Sequence, residues 1–162
     1  MDKVALFVDV QNVYYTTKQA FKAHFDYNAF WKMATHERQL VKATAYAIER
    51  GDEKQRQFQN ILRAIGFEVK LKPFIQRADG SSKGDWDVGI TLDVMDQAQG
   101  LDVVVLVSGD GDFDQLAERV RERFGVAVEV YGVAQLTAAS LVRAASRFVP
   151  IDEALLLRRN HE

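Results

Sequence analysis

The sequence predicts a parallel α/β sandwich, and three observations carry that prediction. Two runs, Lys3–Val10 (KVALFVDV) and Val103–Val107 (VVVLV), are apolar and rich in β-branched residues, as strands buried on both faces require. Strand-like runs alternate along the chain with stretches of helical periodicity, the pattern of βαβ units joined by right-handed crossovers. Each of the two buried runs also leads into a carboxylate, Asp9 in one case and Asp110 in the other. In open α/β sheets, ligands bind at the carboxyl ends of central strands.

The elements follow in order. After the first strand, a helix is expected over Tyr14–Phe25 and a short one around Asn28–Ala34. Leu40–Ile48 reads as the next strand. Asp52–Ile65 reads as a helix with Phe58, Leu62 and Ile65 inward and Gly66 as its stop. Phe67, Val69 and Leu71 alternate with Glu68, Lys70 and Lys72, which marks a half-exposed edge strand. The polar stretch from Gln76 to Asp85 (QRADGSSKGD) reads as a flexible loop. A helix over Trp86–Gln99 is expected to turn Val88, Leu92 and Met95 to the core. The central run then breaks at Ser108-Gly109-Asp110-Gly111-Asp112. Phe113, Leu116, Val120 and Phe124 mark the inner face of a helix that ends at Gly125. Val126–Tyr131 is a short strand, Ala138–Ala145 a last helix, and Phe148 the start of the tail. The two most apolar strands belong in the middle and the alternating strand at an edge. About five strands in the order 3-2-1-4-5 satisfy both conditions and bring Asp9 to the same sheet edge as Asp110 and Asp112.

Composition bounds the function. The 162 residues suit one domain, residues 1–162, at 48% hydrophobic and 27% charged. There is no cysteine, so disulfides and thiolate metal sites are excluded. The three histidines, His24, His36 and His161, are scattered and do not suggest a zinc site. The N-terminal run is interrupted by Asp9 and does not read as a signal peptide. No segment approaches the roughly 20 apolar residues of a membrane span, so no membrane partner and a cytoplasmic location are expected. Residues 1–83 carry 14 Lys and Arg against 9 Asp and Glu, and residues 84–162 carry 7 against 14. A basic half beside an acidic site suits a polyanion and metal cations; helix surfaces that differ by chance would look the same.

The predicted topology brings Asp9, Asp87, Asp110 and Asp112 together. Carboxylates crowded without cations repel one another unless they are protonated or bind metal. Hard oxygen ligands suit Mg²⁺ or Mn²⁺, the ions of phosphodiester hydrolysis. Local structural roles compete with this reading. Asp112 is placed to cap the helix after it, and Asp87 is favoured by its own helix dipole. Asn12 either caps the first helix or orients Asp9, and Ser108 either closes the turn or supports the site. Other motifs fail. Asp110, Asp112 and Asp114 begin like an EF-hand loop, but Gln115 stands where glycine is needed and Arg121 where glutamate is needed. Gly109 and Gly111 begin a dinucleotide fingerprint, but its third glycine position is Asp114.

The segments FVDVQN (7–12), KGDWDVGITLD (83–93) and SGDGDF (108–113) resemble the three motifs of NYN domains. The resemblance is closest to the LabA-like branch of the PIN-like nuclease superfamily. It spans nearly the whole chain, and LVRAASRFVPID resembles that family's last helix and strand. It implies a PIN-like three-layer sandwich and a metal-dependent ribonuclease site. By the resemblance, Asp9, Asp87 and Asp110 match the acidic ligands, and Asn12, Lys83, Asp93, Ser108 and Asp112 match the accompanying polar positions. The middle motif has one extra residue, so Asp85 competes with Asp87; VGITLD follows Asp87 in the family register. Asp93 lies about 240° around the helix from Asp87 and cannot share its face. PIN nucleases often add an acidic residue from an early helix, for which Glu37, Glu49 and Glu53 are candidates.

Taken together, these features suggest an Mg²⁺- or Mn²⁺-dependent endoribonuclease for single-stranded RNA. Asp9, Asp87 and Asp110 would hold metal, with Asp112 and Asn12 completing the site. Lys72, Arg77 and Lys83 would guide the RNA backbone. Tyr14 and Tyr15 either stack bases or pack in the core. The alternative is a non-catalytic RNA-binding or regulatory protein that keeps the acidic site; a phosphatase is a weaker third reading. A homodimer is left open.

Overall fold

The computed structural model describes residues 1–73, 75–76, 82–83 and 85–157. In chain order its elements are β1 (Asp2–Asp9), α1 (Val10–Phe21), α2 (Tyr27–Thr35), β2 (Arg38–Glu49), α3 (Glu53–Ile65), β3 (Glu68–Pro73), the short pair β4 (Ile75–Gln76) and β5 (Ser82–Lys83), α4 (Asp87–Gln97), β6 (Val103–Val107), α5 (Asp114–Phe124), β7 (Ala127–Gly132), α6 (Ala139–Ala144) and β8 (Arg147–Pro150). The main sheet runs β3-β2-β1-β6-β7-β8 and is parallel throughout. The two apolar runs are its central neighbours, paired from Val4 with Val103 to Val8 with Val107.

Strand pleat divides the interior into two cores. Val4, Leu6 and Val8 share one face with Val103, Val105 and Val107, under Phe30 of α2 and Leu62 of α3. Ala5, Phe7, Val104 and Leu106 face the other way, against Ile90 of α4, Val120 of α5 and Leu141 of α6. The result is the three-layer sandwich. No helix among the described residues is long and apolar enough to cross a membrane.

The sheet has six strands where about five were expected. The extra one is β8, which pairs in parallel with β7 from Glu129–Arg147 to Gly132–Pro150. Phe148 therefore lies in an edge strand and not in a tail. Its four residues are too few to show a period, and Pro150 suits only an edge. At the opposite edge, β3 is half-exposed along most of its length, as its alternation predicts.

Helix α4 turns a different face inward from the one expected. Val88 and Leu92 are 70% and 60% exposed, while Ile90, Val94 and Ala98 are buried; of the three residues expected inside, Met95 alone packs, partly buried, against the core. Trp86 sets this rotation. Its indole N–H donates to the Ala47 carbonyl at 2.8 Å, and its ring lies so close to Gly89 that a Cβ there would sit 2.6 Å from it. Ile90 and Val94 follow Asp87 by three and seven residues, so one helical stripe carries both the carboxylate and the core contacts. Replacing Ile90 by alanine should cost about 3 kcal/mol, and Leu92→Ala less than about 0.5 kcal/mol. Urea denaturation checks this; a larger loss for Leu92→Ala than for Ile90→Ala would mean that α4 sits in the expected rotation.

Candidate active site

Because β1 and β6 are adjacent and parallel, their carboxyl ends emerge side by side. Asp9 ends β1 and caps α1, accepting the Asn12 backbone N–H at 3.4 Å. Just past β6, Ser108 is fully buried and joins the two strand ends. Its hydroxyl donates to Asp9 Oδ2 at 3.1 Å and accepts the Asp110 backbone N–H at 3.2 Å. Asn12 makes a second tie, its Oδ1 accepting the Gly109 N–H at 2.9 Å. Only glycine fits at 109, because a Cβ would lie 2.8 Å from the Leu136 carbonyl oxygen.

Asp87, at the start of α4, meets the loop that these ties hold. Asp87, Asp110 and Asp112 each offer a carboxylate oxygen, and the three oxygens lie within 4.8 Å of one another. Among the described residues, no Lys or Arg forms an ion pair with any of them. Burial pushes the Asp9 carboxyl up to about 6; the Asn12 and Ser108 hydrogen bonds oppose this, and the charges of Asp110 and Asp85 add to it. Partial burial and the neighbouring Asp110, with smaller effects from Asp85 and Asp9, push Asp87 up to about 7. These two carboxyls thus resist ionisation through burial and mutual repulsion, and a cation would relieve the repulsion. Carboxylate oxygens gathered in this way fit Mg²⁺ or Mn²⁺.

Several expected roles are redistributed. Asp110, not Asp112, is the capping carboxylate, accepting the Asp112 N–H at 2.9 Å over a single 3₁₀ turn, Gly111–Phe113. Helix α5 begins behind that turn and has no side-chain cap, which leaves the Asp112 carboxylate in the trio. Asp9 sits behind the trio, buried and held by Ser108. The Asn12 side chain accepts the Gly109 N–H and so pins that loop, and it is the Asn12 backbone N–H that meets Asp9. Asp85 accepts the Asp87 N–H at 3.3 Å and is not one of the three.

Asp93 faces another group. It accepts from Lys70 Nζ and from Tyr46 Oη, each at 2.7 Å. Burial opposes its charge, but those hydrogen bonds outweigh it and hold the carboxyl below the usual range. Tyr46 in turn packs on Trp86, with ring centroids 5.3 Å apart, so Asp93 supports the residue that orients α4. Lys72 lies beside the site, its Nζ 4.3 Å from the Trp86 ring centroid and 3.0 Å from the Asp85 carbonyl oxygen. Arg77 and the Lys83 side chain lie outside the described residues. Glu37, Glu49 and Glu53 do not join the trio; Glu49 accepts the Gly51 N–H and Glu53 pairs with Arg56.

Tyr14 and Tyr15 are 41% and 51% exposed, so they do not pack in the core. Sequence reasoning missed the hydroxyl bridge of Ser108 and the Asn12–Gly109 tie. Each spans 97 or more residues, and no local pattern signals such a pair.

Fold and site together define a PIN-like α/β protein with an acidic cluster at the carboxyl edge of its sheet. The chain belongs to the NYN domain family, which matches residues 3–152. It is 26% identical over 160 residues to the Low amplitude and bright protein LabA of Synechococcus elongatus, an alignment covering 93% of this chain and 84% of LabA. It is also similar to a crystal structure of a protein of unknown function from Vibrio parahaemolyticus RIMD 2210633. That likeness has a TM-score of 0.92 and 58% identity and covers 96% of each chain.

Proposed function

We propose that this protein is a metal-dependent endoribonuclease acting on single-stranded RNA. The carrying observation is the trio of Asp87, Asp110 and Asp112, three carboxylates within 4.8 Å in a member of the NYN domain family. These three would hold Mg²⁺ or Mn²⁺. A bound divalent ion supplies an acidified water near neutral pH and offsets charge on the scissile phosphate.

The chain's own groups prepare the site. Ser108 and Asn12 fix the spacing between the β1 and β6 ends, so the carboxylates need no reorganisation when substrate arrives. Asp9 adds negative charge from behind and holds the Ser108 hydroxyl. The backbone turn Gly111–Phe113 presents Asp110 and Asp112 together. Lys72, with Lys83 and Arg77, would meet the RNA backbone and make affinity fall with salt.

The test is a labelled single-stranded RNA incubated with the wild-type protein in Mn²⁺ and in chelator. Cleavage in Mn²⁺ that chelator abolishes is the expected result. RNA binding without cleavage in any divalent ion would remove the enzyme and leave a binding module.

A further inference from the structure

We propose that the exposed face of α1 and the turn after it form a stacking subsite for the bases of a single-stranded nucleic acid leaving the acidic cluster. The identity of the polymer rests on the ribonuclease reading; the subsite itself rests on separate residues. Tyr14, Tyr15, Lys18, Lys22 and His24 line a surface groove of about 780 Å³. Both tyrosines are exposed and meet edge to face, centroids 5.4 Å apart at 76°. Tyr14 also stacks on His24, at 5.9 Å and 28°, which fixes its ring from one side. Lys18 Nζ lies 5.5 Å from the Tyr14 centroid. Aromatic faces interleaved with cations are what a single strand needs, because every unpaired base offers a π-face and every nucleotide a phosphate.

Charge decides between the occupants that an aromatic face can take. Residues 10–25 contain two lysines and a histidine and no acidic residue. Two copies of this face would repel each other, whereas a polyanion is attracted. Position supplies the connection. Helix α1 starts at its cap, Asp9, and Tyr15 follows six residues later, about 9 Å along the axis. Tyr15 shares a face with Gln11 and Asn12, its i−4 and i−3 neighbours. Asn12 accepts the N–H of Gly109, the neighbour of Asp110 in the trio, so a strand with a phosphate at the carboxylates would run along α1 and lay its next bases on the tyrosines. A duplex cannot, since its bases are already stacked and paired.

The experiment is fluorescence anisotropy in chelator, where metal-dependent cleavage does not intrude. The probes are a labelled oligouridylate of about 12 nucleotides and an abasic strand of the same length. Tyr14→Ala and Tyr15→Ala should each weaken oligouridylate binding roughly tenfold, the scale of one stacked base, and leave the abasic strand unaffected. Tyr14→Phe and Tyr15→Phe should bind like wild type, and Lys18→Ala should lower the salt slope by about one. The proposal is overturned if wild type binds no oligouridylate or if the alanine variants bind it as wild type does. It is also overturned if they lose the abasic strand equally, or if sedimentation shows a dimer that the tyrosines hold together. Cleavage by wild type alongside such a failure leaves the nuclease reading standing. Selective loss of oligouridylate without any wild-type cleavage removes the nuclease and keeps the subsite.

Discussion

Asp110→Asn should lower metal-dependent RNA cleavage by at least about 100-fold while RNA binding persists or improves. Asparagine keeps an acceptor for the Asp112 N–H, so the 3₁₀ turn that Asp110 caps should survive. What changes is one negative charge in a trio whose oxygens lie within 4.8 Å. Loss of that charge weakens the hold on a divalent ion and also weakens repulsion of the substrate phosphate. Catalysis and binding should therefore move in opposite directions, which a folding defect would not produce. Ser108→Ala should act differently. It leaves every carboxylate in place but removes the bridge between Asp9 and the Asp110 N–H, and a graded loss of about 10- to 100-fold is expected. Gel assays of both variants, with anisotropy for binding, check the pair. Cleavage that survives Asp110→Asn and chelator together would place the chemistry at another site.

The second large effect is on stability. In chelator, the melting temperature should fall as pH rises from 5 to 8, and Mn²⁺ should cancel most of that fall. The folded carboxyls of Asp9 and Asp87 titrate near 6 and 7, against 3.8 without the fold. Folding thus favours their protonated forms. The stability linked to those protons is complete below about pH 4 and is lost as pH rises through 6 and 7. For buried Asp9, a shift of about two units corresponds to about 3 kcal/mol over the whole titration, of which about half is lost between pH 5 and 8, or roughly 3–6 °C in Tm for a chain of this size. Asp87 is half-exposed, so solvent screening reduces its share. A divalent ion prefers the deprotonated cluster and so stabilises most at the alkaline end. Asp9→Asn should flatten the curve in chelator, since asparagine caps a helix as well as aspartate does. A wild-type Tm that is level from pH 5 to 8, or an Asp9→Asn protein with the wild-type slope, would contradict the assignment.

The sequence by itself determined the frame of this protein. Two long β-branched runs can be satisfied only by burial on both faces, so β1 and β6 had to be central. Their ends carry Asp9 and Asp110, and parallel pairing then forces those carboxylates to one edge. The alternation of Phe67 to Lys72 likewise required an edge strand. Tertiary structure decided the rest. Helix α4 contains apolar residues on two faces, Val88 and Leu92 on one and Ile90 and Val94 on the other, and periodicity alone cannot choose between them. The Trp86 indole, anchored on Ala47 of a distant strand, chooses. Asp112 stands where a helix cap is expected, but the chain inserts a 3₁₀ turn, and Asp110 takes the cap. Asn12 and Ser108 are small polar residues with many local uses; their partners lie 97 and 99 residues away, and only the folded sheet brings them together. Core packing is the more ordinary reading of Tyr14 and Tyr15, and the sandwich overturns it by turning Val13 and Thr17 inward and leaving both rings in solvent. In each case the local pattern limited the options, and a contact distant in sequence selected among them.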